Sequence, residues 1–320
     1  MSDLSMSRPK IAISACLMGA EVRFNGGHKE SRLCSRTLAE HFEFVPLCPE
    51  VAIGMGIPRE PIRLVGDPQS PQAVGTVHPS INVTAPLAEY GEKMAGELND
   101  ICGYIFMQQS PSCGLERVKV YHDNGAPVNG GGRGIYAQAF CARHPDLPVE
   151  EAGRLNDPVL RENFITRVLA YSDWQQVLAQ GLSRRVLTEF HSRYKYQLMA
   201  HNPLQYKALG KLLGNMAQSD PAELGPRYFS ELMAALKKCA TRGTHSNVLQ
   251  HISGYLKQAI SAEDKQEMVH VIGQYRLGIV PLVVPLTLLK HHFRLHPDPY
   301  IAQQVYLQPH PENLSLRNLI

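Results

Sequence analysis

The chain has 320 residues, 44% of them hydrophobic and 19% charged, with 25 glycines and 23 prolines, a composition that excludes disorder, a collagen-like repeat and a coiled-coil rod. No apolar run reaches the ~18 residues a membrane helix needs, and the polar stretch 1–10 lacks the apolar core of a secretory signal, so a soluble, cytoplasmic protein is expected. The net charge of +3 is unevenly spread: residues 1–150 carry 13 Lys and Arg against 16 Asp and Glu, and residues 151–320 carry 19 against 13, a bias in the second half toward an anionic partner.

In chain order, residues 10–14 (KIAIS) form a short β-rich run, followed by a loop containing Gly19, Gly26 and Gly27. Residues 29–41 have helical spacing, with Leu33, Thr37, Leu38 and Phe42 on one side. Residues 44–47 are a second apolar run and the proline-rich stretch 58–86 reads as loop or edge structure. Thr84 before Pro86 marks the start of a helix that continues to about residue 99. Residues 104–107 and 118–121 are further apolar runs, and Gly130, Gly131, Gly132 and Gly134 lead into another, 135–140, which ends at Cys141. Strands separated by helices predict an α/β N-terminal domain with a mostly parallel sheet over residues 1–150.

The character changes after His144-Pro145, Pro148 and Asp157-Pro158. From residue 157 to 320 helical patterns dominate and predict an all-α C-terminal domain. Leu187, Phe190, Tyr194 and Leu198 recur at helical spacing, as do Leu249, Ile252, Leu256 and Ile260.

Seven cysteines in a chain without an export signal point to metal or redox chemistry rather than disulfides. Cys16, Cys48 and Cys113 each follow an apolar run closely. If those runs are parallel strands, the three thiols lie beyond their carboxyl ends, on the edge where open α/β sheets bind ligands. Cys34, Cys102 and Cys239 do not share this placement and read as small buried hydrophobes. Three thiolates without a fourth leave one position open, either in an iron–sulfur cluster, which ordinarily takes four cysteines, or in a catalytic zinc site. The dispersed spacing does not choose between them. Glu50 shares the Cys48 loop, and Ser110 and Ser112 flank Pro111 in the Cys113 loop, so all three are candidates to reach the open position.

These segments carry a resemblance. I-S-A-C-L-M-G (13–19), L-C-P-E (47–50), Q-S-P-S-C-G (109–114) and G-R-G-I-Y-A (132–137) resemble the motifs of the TudS-like thiouracil desulfidase family. H-S-N-V-L-Q-H-I-S-G-Y-L (245–256) and Y-R-L-G-I-V-P-L (275–282) resemble the YbgA-like domain. Together they are similar to two-domain desulfidases that act on 4-thiouridine in tRNA. The resemblance implies a [4Fe-4S] cluster held by Cys16, Cys48 and Cys113 with one open iron. It implies an acid/base role for Glu50 and a role for a serine of the third motif, Ser110 ahead of Ser112. The implied reaction is hydrolysis: a soft thiocarbonyl sulfur meets a soft metal centre while water adds to C4 with Glu50 as general base. Desulfidation of free thiouracil or thiouridine nucleotides, and a non-catalytic iron–sulfur sensor that binds nucleic acid, are the alternatives.

The basic second half then offers Arg161, Arg167, Arg184, Arg185, Arg193, Lys195, Lys207 and Lys211 as contacts for the tRNA backbone, with Tyr194, Tyr196 and Tyr206 interleaved for stacking. Gly132, Arg133 and Gly134 form a candidate phosphate loop. His245, Asn247 and His251, on neighbouring helical turns, are a candidate small polar site.

Overall fold

A computed structural model describes residues 8–122, 124–215 and 220–320. The chain divides between Asn156 and Asp157 into two compact units.

The first unit is α/β. Strands β1 (Lys10–Ser14), β2 (Glu43–Leu47), β5 (Ile101–Phe106) and β7 (Val149–Glu151) form a four-stranded sheet in the order β2-β1-β5-β7, and every pairing in it is parallel. The inner strands explain their own sequences. Ile11, Ala12 and Ile13 of β1 and all six residues of β5 are buried, as expected of strands covered on both faces. Pro46 is tolerated in β2 because β2 is an edge strand. A second sheet, ordered β4-β3-β6, contains β3 (Ile62–Val65), β4 (Gln72–Gly75) and β6 (Val120–Tyr121). Helices α1 (Pro49–Ala52), α2 (Thr84–Glu97) and α3 (Ile135–Arg143) complete the unit. Gly91 lets α2 and α3 approach closely, since a Cβ there would lie 2.8 Å from the Tyr136 carbonyl oxygen. Tyr104, Phe106, Tyr136 and Phe140 form an aromatic core between α3 and the sheet.

Four local expectations change. Residues 29–41 are not one α-helix but a π-helical turn (Leu33–Thr37) and a 3-10 turn (Leu38–Glu40), enough to bury Cys34, Leu38 and Phe42. The proline-rich stretch contains β3 and β4. Residues 135–140 are helical, so Cys141 lies within α3 and not at a strand end. The run expected at 104–107 begins earlier, at Ile101, so Cys102 lies inside β5.

The second unit is all-α: α4 (Pro158–Gln180), α5 (Arg184–His201), α6 (Pro203–Gly214), α7 (Pro221–Lys237), α8 (Arg242–Ser253), α9 (Ala262–Leu277), α10 (Val283–Leu295) and the short α11 (Pro299–Ala302). Side-chain caps set many of the starts. Asp157, Ser183, Asn202 and Asp220 accept N–H groups at the starts of α4, α5, α6 and α7, while Thr241 and Ser261 form capping boxes for α8 and α9. Two apolar clusters fill the unit, one around Trp174, Phe190 and Tyr228 and the other around Tyr196, Leu249, Ile272 and Ile301. Among the described residues no helix is long and apolar enough to cross a membrane.

Candidate active site

Parallel pairing puts the carboxyl ends of β1, β2 and β5 on one edge of the sheet, and the chain turns there each time into a cysteine loop. Cys16 lies in the 3-10 turn Ala15–Met18 that follows β1 directly. Cys48 is the N-cap of α1, with Pro49 in the first turn. Cys113 closes the loop after β5. All three line one cleft of about 430 Å³, together with Glu50, Arg59, Gln108, Ser110 and Ser112, a size within the usual range of small-molecule pockets. Cys34, Cys102, Cys141 and Cys239 do not line it.

The Cys113 loop is held from two sides. Ser14 Oγ accepts the Met107 N–H at 2.9 Å, joining the end of β1 to the start of the loop. Within the loop, Ser110 Oγ accepts the N–H groups of Ser112 and Cys113 at 3.3 and 3.1 Å. On the far side, the Ile135 and Ala137 N–H groups at the start of α3 donate to the Pro111 and Ser112 carbonyls at 3.0 and 3.1 Å. First-turn N–H groups have no partner within their own helix; here the Cys113 loop supplies it. Gly134 is required for this fit, because a Cβ on it would lie 2.5 Å from both the carbonyl carbon and the oxygen of Ser112.

That packing corrects the phosphate-loop expectation. The Gly132 N–H donates to the Val118 carbonyl, the Gly134 N–H to Gly114, and Arg133 Nε to the Leu115 carbonyl at 3.0 Å. These donors are consumed inside the protein, and the glycines are explained by close backbone approach.

Glu50 is gripped at both oxygens. Ser112 O–H donates to Oε1 at 2.6 Å, and Arg59 donates to Oε2 from Nε at 2.8 Å and Nη2 at 2.7 Å. Both side chains of the ion pair are largely buried, at 5% exposure for Arg59 and 14% for Glu50. Arg59 also donates to the Val22 and Gly56 carbonyls at 2.9 and 3.0 Å, so it ties the loop after β1 to the loop after β2. Ser110 Oγ lies 2.9 Å from Ser112 Oγ, giving a continuous line of hydroxyls into the carboxylate. Thus Ser112 touches Glu50 directly and Ser110 is one step behind it. Arg59 escapes sequence reasoning: it stands nine residues from Glu50 in a proline-rich stretch with no periodicity, and only the demand of a buried carboxylate for a cation pointed to it.

The thiols are held protonated in the metal-free chain. Burial, then the neighbouring Cys48, pushes Cys16 up to about 11. Burial, then Glu50, pushes Cys113 up to about 12, and burial raises Cys48. A bound metal ion reverses this preference by neutralising the thiolates. Three thiols, which are soft donors, face a common cleft; among the described residues no three His, Cys, Asp or Glu side chains converge on a single point. At the rim, Phe24 is 38% exposed with the Arg23 guanidinium 5.6 Å from its ring centre, and Lys29 lies alongside.

The helical unit places the expected RNA contacts unequally. Arg167 is an internal group, 6% exposed, with Nε donating to Asn163 Oδ1 at 2.9 Å one turn earlier on α4; it cannot meet a phosphate. Tyr194 and Tyr196 are core residues. Arg185 pairs with Glu189 at 2.8 Å and Arg193 with Asp173 at 3.2 Å. Lys195 Nζ lies 5.0 and 5.5 Å from the ring centres of Tyr196 and Tyr300. Tyr206 is half-buried and stacked on His191. Arg161 is half-buried, whereas Arg184, Lys207 and Lys211 are exposed. His245 is buried while Asn247 and His251 are exposed, so these three do not form one site.

Comparison with known proteins gives a two-part result. The 2-thiouracil desulfurase family matches residues 11–152, and the family described as Protein of unknown function (DUF1722) matches residues 195–311. The uncharacterized protein YbgA of Escherichia coli (strain K12) is 30% identical over 158 residues, 49% of this chain and 94% of that protein. The uncharacterized protein YbbK of Bacillus subtilis (strain 168) is 30% identical over 128 residues, 38% of this chain and 84% of that protein. A solved structure, the [4Fe-4S]-dependent thiouracil desulfidase TudS, is 28% identical, covers 47% of this chain and 94% of its own, and superposes with a TM-score of 0.36.

Proposed function

Because the chain belongs to the 2-thiouracil desulfurase family in its first half and to the YbgA-like DUF1722 family in its second, we propose that it is an iron–sulfur-dependent desulfidase. Its substrate in this reading is 4-thiouridine in tRNA, and water replaces the thiocarbonyl sulfur with no net electron transfer. The observation that carries the proposal is the meeting of Cys16, Cys48 and Cys113 with a paired, hydroxyl-linked Glu50 in one cleft.

When held by Cys16, Cys48 and Cys113, a [4Fe-4S] cluster supplies a soft Lewis acid for the thiocarbonyl sulfur. The protein supplies the proton chemistry. Arg59 fixes the Glu50 carboxylate in place, and the Ser112 hydroxyl sets its other oxygen. In that position Glu50 takes the proton of the water that adds to C4 and returns it to the departing sulfur, work typically worth about 10²–10⁴-fold. Ser110 and Ser112 offer a path by which that proton exchanges with solvent. Phe24 offers a stacking face for a pyrimidine, and Arg23 and Lys29 offer charge for its phosphate.

The experiment is anaerobic reconstitution with iron and sulfide, followed by incubation with tRNA containing 4-thiouridine while the thiocarbonyl absorbance and released sulfide are measured. Turnover that depends on iron and falls steeply with salt supports the whole reading, since phosphate contacts are salt-sensitive. Turnover of free thiouracil or thiouridine monophosphate but not of tRNA moves the substrate to the free compounds. That second reading is favoured by the internal placement of Arg167, Tyr194 and Tyr196. A loaded cluster with no turnover of either, and cluster-dependent binding of RNA, moves it to a sensor.

A further inference from the structure

The cysteine cleft keeps one polar atom for which the chemistry above has no use. Gln108 lines the cleft with Ser110, Ser112 and the three cysteines, and its Oε1 is buried with no hydrogen-bond partner among the described residues. The polar side chains around it are engaged: Glu50 at both oxygens, Ser112 with Glu50, and Ser110 with the loop backbone. Among the described residues that line the cleft, no other buried side-chain nitrogen or oxygen lacks a partner.

The place of this carboxamide is set from several sides. Just before it, the Met107 N–H donates to Ser14 Oγ at 2.9 Å, which fixes how the chain leaves β5. Just after it, Gln109 has a φ of +58°, a left-handed conformation uncommon outside glycine and of the kind that gathers at ligand sites. Beyond the end of β7, Gly153 gives the amide its room. A Cβ there would lie 3.0 Å from Gln108 Nε2 and 3.2 Å from its Cδ.

Buried polar groups in native folds are almost always paired, and an acceptor buried without a donor is destabilising. Beside a substrate cleft, the missing donor is one the substrate brings. A carboxamide presents an acceptor next to a donor, the complement of an N–H next to a C=O, and glutamine reads base edges through such a pair. The imide edge of uracil fits this description. Its N3–H lies between C2 and C4, so it stands next to the sulfur whichever of the two is thiolated, with a carbonyl on its far side. The terminal torsion of glutamine is soft, so Oε1 turns toward a ligand without a change in the backbone.

We infer that Gln108 is a specificity-determining residue for the pyrimidine edge, its Oε1 accepting N3–H of the thiolated base and its Nε2 donating to the carbonyl beyond. The inference rests on the desulfidase reading for the identity of the base and adds a requirement to it: N3 must carry a hydrogen. A site built to bond an N–H rejects the analogue that lacks it.

The test is calorimetric titration of the cluster-loaded full chain with uridine monophosphate, the desulfurated and therefore inert nucleotide, and with its N3-methyl derivative. The wild type should bind the N3–H compound at least about tenfold more tightly. Gln108→Leu, which keeps most of the volume and removes both polar atoms, should lose most of that preference, while Gln108→Glu, which keeps an acceptor, should retain it. Gln108→Ala replaces the leucine variant if leucine disturbs the loop, as judged by cluster absorbance. A preference that survives unchanged in Gln108→Leu or Gln108→Ala overturns the inference. So does a wild type without the preference, or without saturable binding at millimolar concentrations. Failure of the desulfidase reading shows separately, as a wild type that has the preference yet releases no sulfide from any thiolated uridine.

Discussion

The two units bury polar groups in opposite ways. In the α/β unit they are gathered by loops at strand ends, around a cleft open to solvent, and the carboxylate among them is fully paired: Glu50 has Arg59 on one oxygen and Ser112 on the other. In the helical unit they are enclosed by helix faces, and the carboxylate lies inside the fold, with Glu162 Oε1 accepting from Arg317 and Thr166. The first arrangement fixes a base in one orientation beside a substrate. The second holds an ion pair away from solvent, between helices. Strand ends suit the first task because parallel pairing delivers separate loops to one edge, whereas helices suit the second because their sides can wall off a small volume.

The comparison is broken most completely by removing a cysteine. Cys113→Ala should abolish both the visible absorbance of a reconstituted cluster and all turnover, while leaving the unfolding of the helical unit, followed by Trp174, unchanged. Glu50→Gln is the next largest change: the cluster should remain, and the rate should fall at least about 100-fold, the lower end of general-base contributions. Full activity in a cluster-loaded Glu50→Gln protein would remove Glu50 from the mechanism. Arg59→Met leaves a carboxylate buried without its cation, a change that costs about 3–5 kcal/mol in comparable pairs; a lowered unfolding midpoint in denaturant should accompany reduced turnover, with partial rescue by Arg59→Lys. Gly134→Ala should cost less, about 1–3 kcal/mol for forcing a methyl group into an occupied space, and should show as weaker cluster retention on dilution.

A pH dependence confined to the helical unit sharpens the comparison from the other side. His245, His191 and His310 are pushed down by burial, to about 3, 4 and 4, from an ordinary value near 6.5. The folded unit therefore binds fewer protons than the unfolded chain between those limits. Its stability should be complete above about pH 6.5 and decline as the pH falls toward 4. Thermal unfolding followed by Trp174, which lies in that unit's core, measures the helical unit alone. An unfolding temperature that is flat from pH 7 to pH 4.5 would show that these histidines are not neutral in the fold.

Much of the cleft was legible because it depends on order along the chain. Apolar runs followed closely by cysteine implied strand ends, and a parallel sheet gathers those ends on one edge. What stayed hidden depends on tertiary contact. The helix at 135–143 begins at Gly134 without a side-chain cap, and its start is secured by the Pro111 and Ser112 carbonyls, which no local pattern announces. Arg59 and Glu50 meet across two loops. On α4, Glu162, Asn163, Thr166 and Arg167 look like a solvated stripe but are all buried, because that helix is covered on more than one side. Charge in a sequence tells how many cations there are; burial decides which of them a phosphate can reach.

Held on one edge of the sheet, the three cysteines are still far apart in the order of synthesis. Cys16 leaves the ribosome about a hundred residues before Cys113, or about 5–20 s earlier at ~5–20 residues per second. The third loop is braced only once Gly134 and the helix after it exist. Maturation therefore has a fixed schedule. On the proposed reading, a nascent chain can offer one or two thiols to incoming iron, and a three-point grip exists only when the α/β unit is nearly complete.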